Sequence, residues 1–236
     1  MADAQSVPPR PAQLALELSL DDEATFANFM ARPGLAQLLA GLQDEGVRNE
    51  ALHFFHGAAG VGKSHLLQAL CHEREGSVYL PLGLVEELPP GDLLQDLEQA
   101  GLLAIDDLDR VAGRRDWEEA LFHLFNRARA GGCHLLVAAS RPAPDLPLSL
   151  ADLSSRLASG LTWAMPACDD EELRDVLAFR AQRRGLVLGE PVLRYLCERS
   201  QRDLPQLLAS LERLDQASLE RQRAITVPLV REVMGW

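Results

Sequence analysis

Paired cysteines, metal-spaced histidines, long apolar runs and an excess of basic charge are all missing from this 236-residue chain. Each absence removes a class of function. The four cysteines, Cys71, Cys133, Cys168 and Cys197, lie far apart with no C-x-x-C pair. They read as reduced core thiols, not as a disulfide framework or a zinc site. Six histidines show no metal spacing, and His53 and His56, three apart on a presumed strand, face opposite sides of it. No N-terminal apolar core of a signal peptide and no apolar run of about 18 residues occurs, so neither export nor a membrane contact is expected and the location read is cytoplasmic. Lys and Arg number 23 against 35 Asp and Glu, a net charge of −12 with a pI near 4.9. Duplex binding relies on phosphate neutralisation by Lys and Arg, so a direct grip on DNA is not expected. There is no internal repeat, and the only biased stretch is the Pro-rich, small-residue start, residues 1–11, read as a disordered tail.

What is present centres on Leu52 to Leu70, LHFFHGAAGVGKSHLLQAL. An apolar run stops at Gly57, a Gly-rich loop follows, and a helix-like run carries Leu66, Leu67 and Leu70. GAAGVGKS matches the phosphate-binding pattern G-x-x-x-x-G-K-[ST] in its expected setting of strand, loop and helix. Gly57, Ala58, Ala59, Gly60, Val61, Gly62, Lys63, Ser64 and His65 are therefore the candidate nucleotide-binding residues. Backbone N–H groups and the positive end of the helix would face phosphate oxygens. Lys63 would neutralise the β- and γ-phosphates, and the Ser64 hydroxyl would sit on Mg²⁺.

The chain reads in order as follows. Gln13 to Leu20 alternates leucines at 14, 16, 18 and 20, which suits either an edge strand or an extended peptide that docks leucines into a partner's groove. Asp21 to Asn28 suits a short capped helix anchored by Phe26 and Phe29, and a second helix follows Pro33 and ends near Gly46. Beyond the loop come a strand at Ser77–Leu80, a helix at Asp92–Ala100, a strand at Leu102–Ile105, a helix at Trp117–Ala130 and a strand at Cys133–Ala139. That alternation predicts an α/β unit with a parallel sheet covered on both faces. From about Cys168 only helices are expected: DDEELRDVLAFRAQRR, one opening at Pro191, one from Leu204 with leucines at 207, 208, 211 and 214, and one from Val227 toward Met234. The division expected is a tail over 1–20, an α/β domain over 21–166 and a small all-α domain over 167–236.

Three further stations carry chemistry. LLAIDD puts Asp106 at a strand's C-terminal end, where it can hold Mg²⁺, while Asp107 can orient or deprotonate water, although Asp reaches less far than the commoner Glu. Ser140-Arg141-Pro142 ends the next strand. Ser140 either faces the γ-phosphate and attacking water or serves ordinary turn chemistry. Arg156, in LSSRL beyond the sheet, is either a solvated rim charge or an arginine finger acting in trans.

Taken together, GAAGVGKS, LLAIDDLD, the SRP strand end, DLSSRLASG and the trailing helices resemble an AAA+ ATPase: a P-loop α/β core with a parallel sheet and a helical lid. More narrowly, with DDEATFANF, WEEALFHLFNRA and SRPAPDLPLSLADLSSRL, the chain is similar to the initiator-related branch, bacterial DnaA and its shorter Hda-type relatives, over residues 13–236. QLALELSL resembles the motif that plugs into the DNA polymerase sliding clamp, which assigns clamp binding to Gln13, Leu14, Leu16 and Leu18. The resemblance implies a negative regulator of replication initiation that sits on a DNA-loaded clamp, touches DNA only through it, and stimulates hydrolysis of ATP held by DnaA. Arg156 would be the finger, the chain's own ligand would be ADP or ATP with Mg²⁺, and a homo-oligomer is compatible with it.

Two departures from the family stand out. The resemblance puts Pro205 where the family's lid carries a nucleotide-sensing arginine, so either Arg202, three residues earlier, substitutes for it or lid sensing is weakened. The phosphate loop is fuller than many Hda-type proteins keep, which leaves room for ATP. A self-sufficient ATPase, such as a helicase loader or initiator-like factor, is the alternative. No basic helix-turn-helix follows the helical block, so direct origin recognition is not expected.

Overall fold

The computed structural model describes residues 20–200 and 203–236. The segment with Gln13, Leu14, Leu16 and Leu18, and the lid position Arg202, lie outside them. Five strands, β1 (Leu52–His56), β2 (Ser77–Pro81), β3 (Leu102–Asp106), β4 (His134–Ala139) and β5 (Leu161–Ala164), form one sheet in the order β2-β3-β4-β1-β5. All pairings are parallel, with Phe54 opposite Val137 and Ala104 opposite Leu136. The central strands are the apolar runs seen in sequence, because a parallel sheet is buried on both faces and has no use for polar alternation.

Around the sheet lie α1 (Ala36–Gln43), α2 (Glu45–Arg48), α3 (Lys63–His72), α4 (Leu82–Val85), α5 (Pro90–Leu93), α6 (Arg115–Gly131) and α7 (Ala151–Ala158). On one face Trp117, Leu121, Leu124 and Phe125 of α6 pack on Phe54, Leu103, Ile105 and Val137. On the other, Leu66, Leu67 and Leu70 of α3 join Leu35, Leu38 and Leu42 over Phe55, Ala104 and Leu136. Each large apolar side chain buried this way contributes about 1.5–3 kcal/mol. As strand alternation requires, His53 shares a side with Phe55 and His56 with Phe54.

The C-terminal helices α8 (Asp170–Arg183), α9 (Glu190–Arg199), α10 (Leu204–Arg221) and α11 (Val227–Met234) gather their leucines into a separate core containing Leu177, Leu196, Leu207, Leu211, Leu214 and Leu229. A capping box starts α8: the Asp169 carboxylate accepts from the N–H groups of Glu171 and Glu172, and the Glu172 carboxylate accepts from Asp169 N–H.

Two expected helices are not α-helices. Over Asp21–Asn28 only a 3₁₀ turn, Phe26–Asn28, forms. The backbone there is spent on tertiary partners: Gln68 accepts from Asp21 N–H, and the His65 and His72 rings bond the carbonyls of Thr25 and Asp21. Asp92–Ala100 is also broken. α5 starts two residues earlier and stops at Leu93, Asp96 turns left-handed at φ 62°, and a 3₁₀ turn covers Leu97–Gln99. After Pro33 the expected single helix divides at Asp44, whose side chain caps α2 by accepting from Gly46 and Val47 N–H. β5 and α7 were not foreseen. Cys71 and Cys133 are buried thiols, whereas Cys168 and Cys197 are half-exposed, so the expectation of four core thiols holds for two.

Candidate functional site

β1 delivers the chain into the Gly-rich loop, and α3 begins at Lys63. Gly60 and Gly62 have φ of 79° and 102°, the left-handed region that other residues resist. A Cβ on Gly60 would lie 2.8 Å from Pro205 Cδ, and one on Gly62 2.9 Å from the Phe29 ring. The loop is thus closed in by α10 on one side and by the segment before α1 on the other. Among the described residues, no protein group accepts from the N–H groups of Ala59, Gly60, Gly62, Lys63, Ser64 or His65. Six free donors at a helix start are a cradle for an anion.

Lys63, the chain's single lysine, is 8% exposed. Its Nζ donates to the carbonyls of Gly57 (2.7 Å) and Ala58 (2.9 Å). Burial lowers its pKa, while Asp106, Asp109 and Asp107 pull it back up. Asp106 ends β3 at 1% exposure. One carboxylate oxygen accepts from Asp107 N–H at 2.9 Å and the other from the Tyr79 hydroxyl at 2.8 Å. Asp107 is held at φ 55° and half-buried, with its carboxyl pushed up by burial and by the charges of Asp106 and Asp109. A carboxylate made more basic in this way suits proton acceptance from water. The exposed Ser140 is tied to this cluster through its backbone, its N–H donating to Asp109 Oδ1 at 2.5 Å.

The residues fit the groups that the motif implies. Free N–H groups and an ammonium are donors for phosphate oxygens. The Ser64 hydroxyl and Asp106 carboxylate are hard oxygen ligands suited to Mg²⁺. A cleft of about 440 Å³ opens beside the loop, walled by Phe29, Met30, Val176, Arg180 and Leu208. The sequence assigned none of these wall residues to nucleotide binding; Phe29 and Leu208 were read only as packing positions. The wall residues come from three distant segments and carry no local motif. Pro205 also lines the cleft, with Leu204 before it. His65 shares its edge, but its ring bonds the Thr25 carbonyl and lies tilted against Phe29 at 5.3 Å, so the side chain serves the N-terminal segment.

Arg156 is elsewhere. It lies in α7 and lines a second cavity of about 210 Å³ with Glu50, Arg129, Leu52, Leu135 and Ser159. Leu52 and Leu135 mark the beginnings of β1 and β4, so this cavity lies at the opposite end of the strands from the phosphate loop. Among the described residues, no carboxylate pairs with Arg156 within 4 Å. The loop, Asp106, Asp107 and Ser140 are brought together, and Arg156 is not brought to them.

The family model described as "Hda, lid domain" matches residues 169–234. Domain III of the Thermotoga maritima replication initiation protein DnaA is 22% identical at a TM-score of 0.76, covering 92% of this chain and 98% of that one. AMPPCP-bound DnaA from Aquifex aeolicus is 22% identical at 0.67, covering 85% and 67%. The Thermotoga maritima RuvB Holliday junction branch migration motor is 17% identical at 0.68, covering 90% and 71%. The solved structures establish the fold, a parallel α/β core with trailing helices like those of DnaA domain III and RuvB, and residues 169–234 of that helical part match the lid-domain model.

Proposed function

We propose that this chain is a replication regulator that binds an adenine nucleotide itself and completes the catalytic site of another AAA+ protein, DnaA. The observation that carries the reading is the separation of Arg156 from the chain's own phosphate loop by the length of the sheet, with no carboxylate paired to it within 4 Å among the described residues. A guanidinium in that position cannot serve the nucleotide in its own chain. It is available to one bound by a neighbour. The apolar and aromatic wall of Phe29, Met30, Val176 and Leu208 beside the cradle suits an adenine ring. The DnaA relative of the same fold was solved with AMPPCP. Ser64 and Asp106 would hold Mg²⁺, which would neutralise phosphate charge. In this reading residues 21–166 form the nucleotide-binding domain, 167–236 the lid, and 1–20 the clamp-binding tail. Gln13, Leu14, Leu16 and Leu18 dock on the sliding clamp, hold the protein at the nucleoid and leave DNA contact to the clamp. A homo-oligomer would use the same finger on a second copy.

The test is hydrolysis of DnaA-bound ATP with and without this protein, clamp and DNA. Arg156→Ala is expected to lower the stimulation about 10³-fold, the low end for an arginine finger, while keeping clamp binding. Replacing Gln13 and Leu14 by Ala is expected to abolish clamp binding and leave nucleotide binding intact. Normal stimulation by Arg156→Ala would overturn the finger. A second reading, an ATPase acting alone as a helicase loader or initiator-like factor, draws on the assembled Lys63, Asp106, Asp107 and Ser140. Turnover of ATP by the isolated chain that survives Arg156→Ala and falls in Asp107→Ala would favour it.

A further inference from the structure

We propose that Tyr79 is a positioning residue that sets how strongly nucleotide binding at this site depends on Mg²⁺, because its hydroxyl holds the carboxylate oxygen that the hydrated cation would use. The inference rests on the nucleotide reading above. β2 lies beside β3 with Tyr79 opposite Ala104 and Pro81 opposite Asp106, so Tyr79 sits one side-chain repeat below the strand end. Its ring packs on the α3 side of the sheet, against the core cluster that contains Leu66, Leu67 and Ala104. From there the phenol reaches the strand end and donates to Asp106 Oδ2 at 2.8 Å.

The competition is for the acceptor capacity of one carboxylate oxygen. Mg²⁺ in nucleotide sites keeps several waters and meets the protein through one or two carboxylates. Asp106 Oδ1 is already engaged by Asp107 N–H, and Oδ2 by the phenol. Any water of the cation that donates to Oδ2 must displace or share with the phenolic O–H, and O–H···O⁻ bonds are among the stronger ones. The cation thus adds less to nucleotide affinity than Ser64 and Asp106 alone would allow, and ADP without metal is held comparatively well.

The experiment measures ADP affinity by calorimetry in EDTA and at saturating Mg²⁺, in the wild type and in Tyr79→Phe. The expected result is a gain of about tenfold in the ratio of the two dissociation constants in Tyr79→Phe. That gain should vanish in the Asp106→Asn background. A purely packing role moves both affinities together, so an unchanged or smaller ratio overturns the proposal. Should Tyr79→Phe not fold, adding Mg²⁺ to the ADP complex of Tyr195→Phe leaves Tyr79 as the only tyrosine reporter. A near-ultraviolet tyrosine difference signal is expected there, and its absence overturns the proposal. A wild-type chain that takes no ADP overturns the nucleotide reading itself. One that takes ADP with a Mg²⁺ dependence indifferent to Tyr79 overturns this inference alone.

Discussion

His53 shows how packing decides a single residue's protonation. It is 1% exposed, and the Trp163 indole N–H donates to its Nδ1 at 3.0 Å, which requires that nitrogen to be unprotonated. Burial lowers its pKa, so the folded chain keeps the ring neutral while the unfolded chain protonates it below about pH 6.5. The stability it contributes is present above that value and is lost as pH falls toward the folded pKa. The unfolding free energy of the wild type is expected to drop with pH in this window. In His53→Asn, which keeps an acceptor for the indole, the slope should be shallower by up to about 1.4 kcal/mol per pH unit, read from urea midpoints. It will not be flat, because burial also depresses His56 and His65. At this scale the phosphate loop, Asp106 and Asp107 were legible, since contiguous residues at strand ends carry their own spacing. Tyr79 and Trp163 were not, because the partners of a side chain 27 or 110 positions away belong to the sheet order, which no local pattern contains.

Among elements, the apolar strands β2, β3 and β4 and the long periodic helices were read correctly, and two short helices were not. α6 and α10 carry apolar residues through several turns, and their buried faces match the spacing. Residues 21–28 and 92–100 have too few turns for periodicity to outweigh tertiary bonds to their backbone. β5 has four residues, mostly exposed, and exists because β1 pairs with it and Trp163 packs under Gly41 of α1, where a Cβ would come within 2.5 Å of the indole. Arg32 joins the elements around the cleft. Buried at 3% exposure, it pairs with Glu172 of α8 at 3.1 Å and donates to the carbonyls of Pro166 (3.0 Å) and Val61 (3.4 Å). One guanidinium therefore ties the phosphate loop, the linker and the lid. Arg32→Ala is expected to cost about 2 kcal/mol, measured by thermal unfolding, and to shrink the further rise in Tm that ADP produces. Glu172 keeps its capping role in that variant, so α8 itself should persist by circular dichroism.

For the whole molecule, the order of motifs carried more than any one of them. A phosphate loop, an acid-ended strand, a polar strand end and trailing amphipathic helices specify a parallel sheet with a lid, and that is the architecture found. What the order left open was which pieces converge. The strands run parallel, so everything after their ends collects on one side, while Arg156, ahead of β5, falls on the other. The same arrangement leaves one unusual chemical handle. Twenty-two of the chain's twenty-three basic side chains are guanidiniums, and the remaining one is Lys63. Amine-selective acylation therefore has a single side-chain target, and it lies in the cleft. Saturating ADP is expected to slow acylation of that target at least tenfold, by mass spectrometry, while the α-amino group reacts unchanged. Any reagent or enzyme that consumes amines would then report occupancy of that cleft directly.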